Sequence, residues 1–172
     1  MRNFLILAEV RSGYQLMATL LNSNPQVICL GEIFGSDRDV RIKSLFKFPV
    51  PVIEETDLAV DYVQKISKTA RSKRCRAFGF KLNYVCARSQ NWSPLWDHAV
   101  AKRWHVIHLR RENLLDRLIS ERLASSDNNW NHNEYDNKIQ ISIHDLEVSY
   151  QKSVLSQQWA DQFFRKNPVC NM

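Results

Sequence analysis

A short polar turn near the start of the chain, Arg11-Ser12-Gly13, has residue types that could bind an anion. The apolar run 4–8 comes just before it and predicts a buried strand, and helix-forming residues follow at 17–21. The turn therefore places a helix N-terminus beside the guanidinium of Arg11. The first N–H groups of a helix have no partner within the helix, and arginine binds phosphate through two parallel hydrogen bonds. The pattern predicts a phosphate site at this turn.

The same turn lacks the residues of a metal-dependent nucleotide hydrolase. The chain has no GxxxxGK[ST] pattern there: no lysine follows Gly13, and no serine or threonine is placed to hold Mg²⁺. This disfavours a metal-assisted NTPase but not phosphate binding. The four cysteines show no CxxC or Cys/His ligand spacing, so we expect free thiols and no metal site; they are Cys29, Cys75, Cys86 and Cys170.

A second polar group follows the apolar run 104–109. Arg110 and Arg111 close that predicted strand, and Ser120 lies on the helix predicted after them. These residues are either ordinary surface charge and an ordinary helical serine, or a strand-end arginine and a hydroxyl that together hold a second phosphate. Two phosphate sites at adjacent strand ends indicate a nucleotide that carries phosphates at separate positions.

Short apolar runs alternate with helical patterns along the whole chain. Beside the two strands above, we predict strands at 27–30, 77–82 and 139–143, and helices at 58–70, at 114–123 and from 145 onward. This alternation favours one α/β domain over residues 1–172, with a mainly parallel sheet whose ligands bind at the carboxyl ends of the strands. Two stretches lack periodicity: we interpret about 36–56 as an irregular insert and about 125–138 as a mobile loop.

The composition restricts the class of partner. The formal charge of +6 is compatible with nucleotides, nucleic acid or acidic glycans. The basic residues are scattered, however, apart from a cluster at 71–76 that we interpret as a solvated helix end, and no aromatic side chains alternate with them. The sequence therefore disfavours a nucleic-acid-binding module. No apolar run approaches the roughly 20 residues of a transmembrane helix, and 4–8 is too short for a signal peptide, so we expect a cytoplasmic protein.

The glycines are few, and each lies beside a short apolar run. The chain has only four of them, Gly13, Gly31, Gly35 and Gly79. Because glycine tolerates positive φ angles and close approach of a neighbouring group, we expect each one to serve such a backbone need.

Four short motifs occur in the order found in sulfotransferases. In this chain they are Arg11-Ser12-Gly13, Leu30-Gly31-Glu32-Ile33-Phe34, Gly79-Phe80-Lys81-Leu82, and His108-Leu109-Arg110-Arg111-Glu112-Asn113-Leu114-Leu115 with Ser120. Over residues 3–124 the sequence resembles the bacterial sulfotransferases that modify trehalose, lipopolysaccharide or nodulation-signal sugars. The resemblance implies a P-loop-like, three-layer α/β/α fold. It also implies transfer of a sulfuryl group from 3′-phosphoadenosine-5′-phosphosulfate to a hydroxyl of a carbohydrate or glycolipid, with no metal.

The resemblance also implies which residues bind the donor nucleotide. The 3′-phosphate would be held by Ser120 and by Arg111 or Arg110. The 5′-phosphosulfate would lie in the first turn, against Arg11, Ser12, Gly13, Tyr14 and Gln15. Relatives usually carry small hydroxyl residues after the glycine, where this chain has Tyr14 and Gln15. Tyr14 either offers its own hydroxyl to the donor or blocks the pocket.

Two residues are the catalytic candidates. Glu32 stands where the sugar-modifying relatives place a carboxylate proposed as general base, and such a group can take the proton from an attacking hydroxyl. The alternative is that Glu32 is only an ion-pair partner of Arg11. Arg11 itself is a catalytic candidate because stabilising the charge on the bridging oxygen should dominate the reaction. Lys81 either reaches the donor's charge or is a lysine at the edge of the sheet.

A second function follows from the ways in which this chain differs from the sulfotransferase relatives. Relatives continue past the last long helix into a segment that helps to close over the nucleotide, whereas this chain stops soon after that helix. The alternative is therefore a shortened relative that binds an adenosine bisphosphate, or a protein partner, without turnover. Three tryptophans are candidates for an acceptor-sugar contact, a homodimer face or ordinary packing: Trp92, Trp96 and Trp130.

Overall fold

The computed structural model describes residues 1–34, 58–89, 93–127, 130 and 138–166. In chain order its elements are β1 (Arg2–Ala8), α1 (Tyr14–Asn22), β2 (Val27–Glu32), α2 (Ala59–Ser72), β3 (Ala77–Asn83), α3 (Tyr84–Arg88), α4 (Ser93–Ala101), β4 (His105–Leu109), α5 (Leu114–Ser126) and α6 (Ile143–Lys166). The predicted insert at about 36–56 lies outside the described residues, as does most of the predicted loop at about 125–138. Ser125 and Ser126, which we placed in that loop, belong to α5.

All four strands form one parallel sheet in the order β2-β3-β1-β4. β1 is an interior strand: Leu5 aligns with Phe80 of β3 on one side and with Val106 of β4 on the other. A parallel strand that is covered on both faces has a continuous apolar sequence, and residues 4–8 have such a sequence. The predicted α/β fold with a parallel sheet is confirmed.

Helices cover both faces of this sheet. Alternate residues of a strand point to opposite faces, so Leu5 and Leu7 belong to one apolar cluster and Phe4 and Ile6 to another. The first cluster packs against α2, α4 and α6, and the second packs against α1 through Tyr14 and Ala18. The result is a three-layer α/β/α arrangement, with the carboxyl ends of the strands at one edge and their amino ends at the other.

Trp96 lies inside the larger cluster. It is 4% exposed, its Nε1 donates to the carbonyl of Ala87 at 2.8 Å, and its ring lies 4.8 Å from that of Phe163 in α6. Of the three uses predicted for the tryptophans, Trp96 serves packing. Trp92 lies outside the described residues.

Two of the glycines serve the backbone needs that we expected. Gly13 has φ +87° and precedes α1, and a Cβ atom on Gly79 would lie 2.3 Å from the ring of Phe4. The expectation is wrong for Gly31, which has no positive φ and open space where a Cβ would lie. Gly35 lies outside the described residues.

The strand predicted at 139–143 is wrong. Ile143 is the first residue of α6, and 138–142 form no regular structure. The reason is a helix cap: the Ser142 hydroxyl accepts a hydrogen bond from the Asp145 N–H at 3.0 Å and contacts the Asp145 carboxylate at 2.9 Å. Five alternating residues are a weak strand signal, and this local cap outweighs them.

The remaining boundaries differ from the predictions by at most three residues: α1 begins at Tyr14 rather than at residue 17, and α5 ends at Ser126 rather than at residue 123. Between β3 and β4 the chain forms two helices, α3 directly after β3 and then α4. No helix in the described ranges combines the length and the apolar character needed to cross a bilayer.

Candidate functional site

The turn between β1 and α1 has an unusual backbone. Arg11 and Gly13 both lie in the left-handed region, with φ angles of 60° and 87°. This conformation costs a residue with a side chain roughly 1–2 kcal/mol, so surrounding contacts must hold Arg11 there. One such contact is made by Ser12, which is 8% exposed and whose hydroxyl donates to the carbonyl of Glu9 at 2.8 Å.

Arg11 connects this turn to the other predicted polar group. Its Nε donates to the Ser120 hydroxyl at 2.8 Å, and its Nη1 donates to the backbone carbonyl of Trp130, also at 2.8 Å. Arg111 donates from Nη1 to the carbonyl of Arg11 at 3.3 Å. The two polar groups that the sequence placed on separate strand ends therefore form one cluster. We call Arg11, Arg111 and Ser120 the arginine–serine cluster.

Arg110 and Arg111 take different directions at the end of β4. Arg110 pairs with Asp161 of α6 at 3.2 Å, whereas Arg111 contacts Arg11 and has its Nη2 3.8 Å from the carboxylate of Asp116. Of the two arginines between which the sequence could not choose, Arg111 belongs to the arginine–serine cluster.

Glu32 ends β2 and is held by two neighbours from β3. One carboxylate oxygen lies 2.5 Å from the Lys81 ammonium, and the other accepts a hydrogen bond from the Asn83 amide at 2.7 Å. Glu32 therefore pairs with Lys81, whereas the ion pair that we gave as its alternative role was with Arg11. Lys81 is 3% exposed and lies in an interior strand, so its interpretation as an edge lysine is wrong. These contacts fix the direction in which the carboxylate points.

Tyr14 neither offers its hydroxyl to this turn nor blocks it. The side chain is 8% exposed, its hydroxyl donates to the carbonyl of Leu30, and its ring centre lies 5.3 Å from the Lys81 ammonium. Burial, reinforced by the nearby Cys29 and Glu32, raises the pKa of the Tyr14 phenol. The backbone of Tyr14 begins α1 at the turn, and the side chain of Gln15 is exposed.

Sequence reasoning missed a buried charge network behind the turn. Arg117 of α5 is 4% exposed, with its Nε 3.3 Å from the Glu9 carboxylate and its Nη1 2.9 Å from that of Glu121. Its Nη2 donates to the hydroxyl of Ser153 in α6 at 2.9 Å, and that hydroxyl lies 3.0 Å from the Glu9 carboxylate. The one sequence signal for this network was that Arg117 stands next to Leu118, on a predicted helix whose apolar residues recur at helical spacing.

A cleft of about 770 Å³ opens at the carboxyl ends of β1, β2 and β3. We call it the carboxyl-end cleft, and its walls include Glu9, Glu32, Asn83, Arg117 and Trp130. The cleft therefore lies beside the turn and contains the Glu32 carboxylate. Its mixture of acids, bases and amides suits a ligand rich in hydroxyl groups better than an apolar one.

A row of three polar side chains joins this edge of the sheet to α6. The Tyr84 hydroxyl bonds to Nε2 of His108, and Nδ1 of His108 lies 3.7 Å from the Asp161 carboxylate. Burial and the nearby Arg110 guanidinium lower the pKa of His108 to about 4, although Asp161 acts in the opposite direction. Burial also raises the pKa of Tyr84. Both side chains are therefore neutral near pH 7.

Within the described ranges, His, Cys, Asp and Glu side chains form no group of three or more that could hold a metal ion. Comparisons with known proteins add no relative: no family model, no curated protein and no solved structure matches the chain.

Proposed function

We propose that this protein is a sulfotransferase that moves a sulfuryl group from 3′-phosphoadenosine-5′-phosphosulfate to a hydroxyl of a carbohydrate or glycolipid. The observation that carries the proposal is the arginine–serine cluster, in which Arg11 contacts Ser120 at 2.8 Å and Arg111 contacts the Arg11 carbonyl. Two permanent cations, a hydroxyl and the N-terminus of α1 together suit the phosphate groups of a nucleotide. We also propose that β1, the turn and α1 together bind phosphate as a P-loop does.

In the proposed reaction the acceptor oxygen attacks the sulfur of the donor. An oxygen–sulfur bond forms, the bond between sulfur and the bridging phosphate oxygen breaks, and its electron pair leaves with 3′,5′-adenosine bisphosphate. The hydroxyl proton passes to Glu32, which Lys81 and Asn83 hold in one orientation. Arg11 and the first N–H groups of α1 stabilise the charge that develops on the leaving oxygen.

The carboxyl-end cleft is the proposed acceptor site. It borders the turn through Glu9, contains Glu32 and has a volume of about 770 Å³. Pockets of roughly 300–1,000 Å³ accept small organic ligands. Trp130, a half-buried aromatic residue in the lining, is the side chain that we assign to contact with a sugar ring.

One observation favours a second function, nucleotide binding without turnover. Where relatives carry small hydroxyl residues after the glycine, this chain has Tyr14, whose hydroxyl is buried against the Leu30 carbonyl. The donor's sulfuryl group then has fewer side-chain hydrogen bonds at the turn. This would lower the rate of transfer more than it would lower nucleotide affinity, since the latter depends on the arginine–serine cluster.

Calorimetry with 3′,5′-adenosine bisphosphate tests what both functions share. We expect binding by the unaltered chain, and roughly tenfold or greater weakening in Arg111→Ala and in Ser120→Ala, because each removes a contact to a charged phosphate. Arg110→Ala is the matched control, since it removes the neighbouring arginine, whose partner is Asp161. No binding by the unaltered chain would overturn both functions.

Turnover then separates the two functions. Labelled donor is offered with a panel of sugars and glycolipids to the unaltered chain and to Arg11→Ala and Glu32→Gln. For the enzyme we expect Arg11→Ala to lose roughly 10²–10³ in rate, the usual cost of removing one oxyanion donor, while it still unfolds cooperatively. Near-normal transfer by Arg11→Ala would remove Arg11 from the mechanism. Nucleotide binding without transfer to any acceptor would establish the second function instead.

A further inference from the structure

A second cleft, of about 830 Å³, lies at the opposite edge of the sheet, where the strands begin. Its walls come from the start of β1, from α2, and from the turn between α4 and β4. We call it the amino-end cleft. Six basic residues line it: Arg2, Lys65, Lys68, Arg71, Lys102 and Arg103. The one carboxylate in the same lining is Asp61, so the cleft carries a large excess of positive charge.

Most of these cations have no acidic partner among the described residues. Across the described residues, Arg2, Lys68, Arg71, Lys102 and Arg103 take part in no ion pair, and all five side chains are exposed. Like charges gathered in a concave surface repel one another and attract anions, because the low-dielectric walls focus their field. The cleft is therefore an electrostatic site for an anion with more than one negative group.

The lining also indicates how that anion is recognised. The one tryptophan in the walls, Trp104, is 3% exposed and packs in the core, so it offers no face for a nucleic-acid base to stack on. Cations dominate the rest of the lining, so recognition depends mainly on the anionic groups of the ligand. Arginines hold phosphate oxygens with two parallel hydrogen bonds, and lysines act as point charges.

We propose that the amino-end cleft binds a small ligand that carries several phosphate groups. A volume of about 830 Å³ is in the range of small-molecule sites. The cations come from three separate elements around a concavity, which fits a compact ligand better than the flat surface of a membrane. The site lies at the other edge of the sheet from the arginine–serine cluster, so it does not depend on the proposed transferase function.

Calorimetry with inorganic tripolyphosphate at low salt tests the proposal. Lys68→Gln with Arg71→Gln alters the α2 wall, and Lys102→Gln with Arg103→Gln alters the α4–β4 wall. We expect each pair to weaken binding by roughly tenfold or more. The matched control is Arg165→Gln with Lys166→Gln, which removes the same charge from the exposed end of α6. The control should bind as the unaltered chain does, and added salt should weaken binding in both.

Four results would overturn the proposal. Absence of tripolyphosphate binding is the first, and equal weakening in the control pair, which would indicate a net-charge effect, is the second. The third is loss of binding in Arg111→Ala while both cleft pairs bind normally, since the anion would then occupy the arginine–serine cluster. The fourth is displacement of tripolyphosphate by a short single-stranded RNA, or by vesicles containing phosphatidylserine, with much higher affinity at the same residues. That result would assign the cleft to a macromolecule or a membrane.

Discussion

The two edges of the sheet use charge in opposite ways. At the carboxyl edge the charged side chains of two contacts are paired and largely withdrawn from water, namely Arg117 with Glu9 and Lys81 with Glu32. At the amino edge the cations are exposed, and five of them lie outside every ion pair among the described residues. The same residue types, Arg and Lys, occur in both places.

This difference separates two kinds of site. A paired, buried charge has one orientation, which is what positioning a reacting group requires. An exposed, unpaired charge can move and is screened by salt, which suits attraction of an anion more than exact placement of one. The contrast supports our proposals of a reaction at the carboxyl edge and of charge-driven binding at the amino edge.

The largest expected effect concerns the buried network of the carboxyl edge. Arg117→Met should cost about 3–5 kcal/mol of unfolding free energy, because it leaves the Glu9 carboxylate without its charged partner. Arg122→Met on the same helix is the matched control. Arg122 is half exposed and lies 4.0 Å from Asp145, so its loss should cost less than about 1 kcal/mol. Urea unfolding followed by circular dichroism measures both, and similar values for the two variants would contradict the distinction between the edges.

An intermediate effect on the free energy of unfolding is expected from the titration of His108, which also lies near the carboxyl edge. Its pKa is lowered to about 4 in the folded chain, against about 6.5 in the unfolded chain, so the unfolded chain takes up the proton first as pH falls. Neutral His108 therefore contributes its full stabilisation to the folded chain above about pH 6.5. That contribution is lost as the pH falls toward 4, by at most roughly 1.4 kcal/mol per pH unit.

His108→Gln cannot titrate, so it should show a flatter dependence of stability on pH in this window. Urea unfolding at several pH values compares it with the unaltered chain. If the two slopes are equal, His108 is not the group responsible.

The smallest effect is expected at the amino edge. Lys68→Gln with Arg71→Gln should change the unfolding free energy by less than about 0.5 kcal/mol, because exposed, unpaired cations contribute little to stability. Removing mutual repulsion would even favour the folded state slightly. Thermal and urea unfolding at low salt measure the change. A loss above about 1 kcal/mol would show that these cations are structural, and the contrast between the two edges would fail.

The sequence was sufficient for the elements that carry local patterns. The apolar run of β1, the glycine at the N-terminus of α1 and the parallel arrangement of strands were all predictable, because each follows from a short stretch of residues. The polar groups at the strand ends were also found at the correct edge. What a single sequence did not show was that Ser120 contacts Arg11 itself, since this depends on where α5 lies against the turn.

Two of the misses depend on how distant parts of the chain come together. The alternative of an edge lysine at Lys81 is wrong because strand order cannot be read from one sequence, and the order places β3 inside the sheet. Arg117 and Ser153 were missed because their partners lie far away along the chain. The strand predicted at 139–143 failed for the opposite reason, since a strictly local cap at Ser142 decided the structure there.

The bond between Ser153 and Glu9 has a consequence for the order in which the protein folds. These residues are 144 positions apart, so the contact forms only after the long helix α6 has docked against the end of the first strand. Contacts this distant in sequence are slow to form, because closing the intervening chain has an entropic cost. During synthesis, the turn that carries Arg11 leaves the ribosome before α6 does. Glu9 of that turn gains its contact with Ser153 only after α6 has followed.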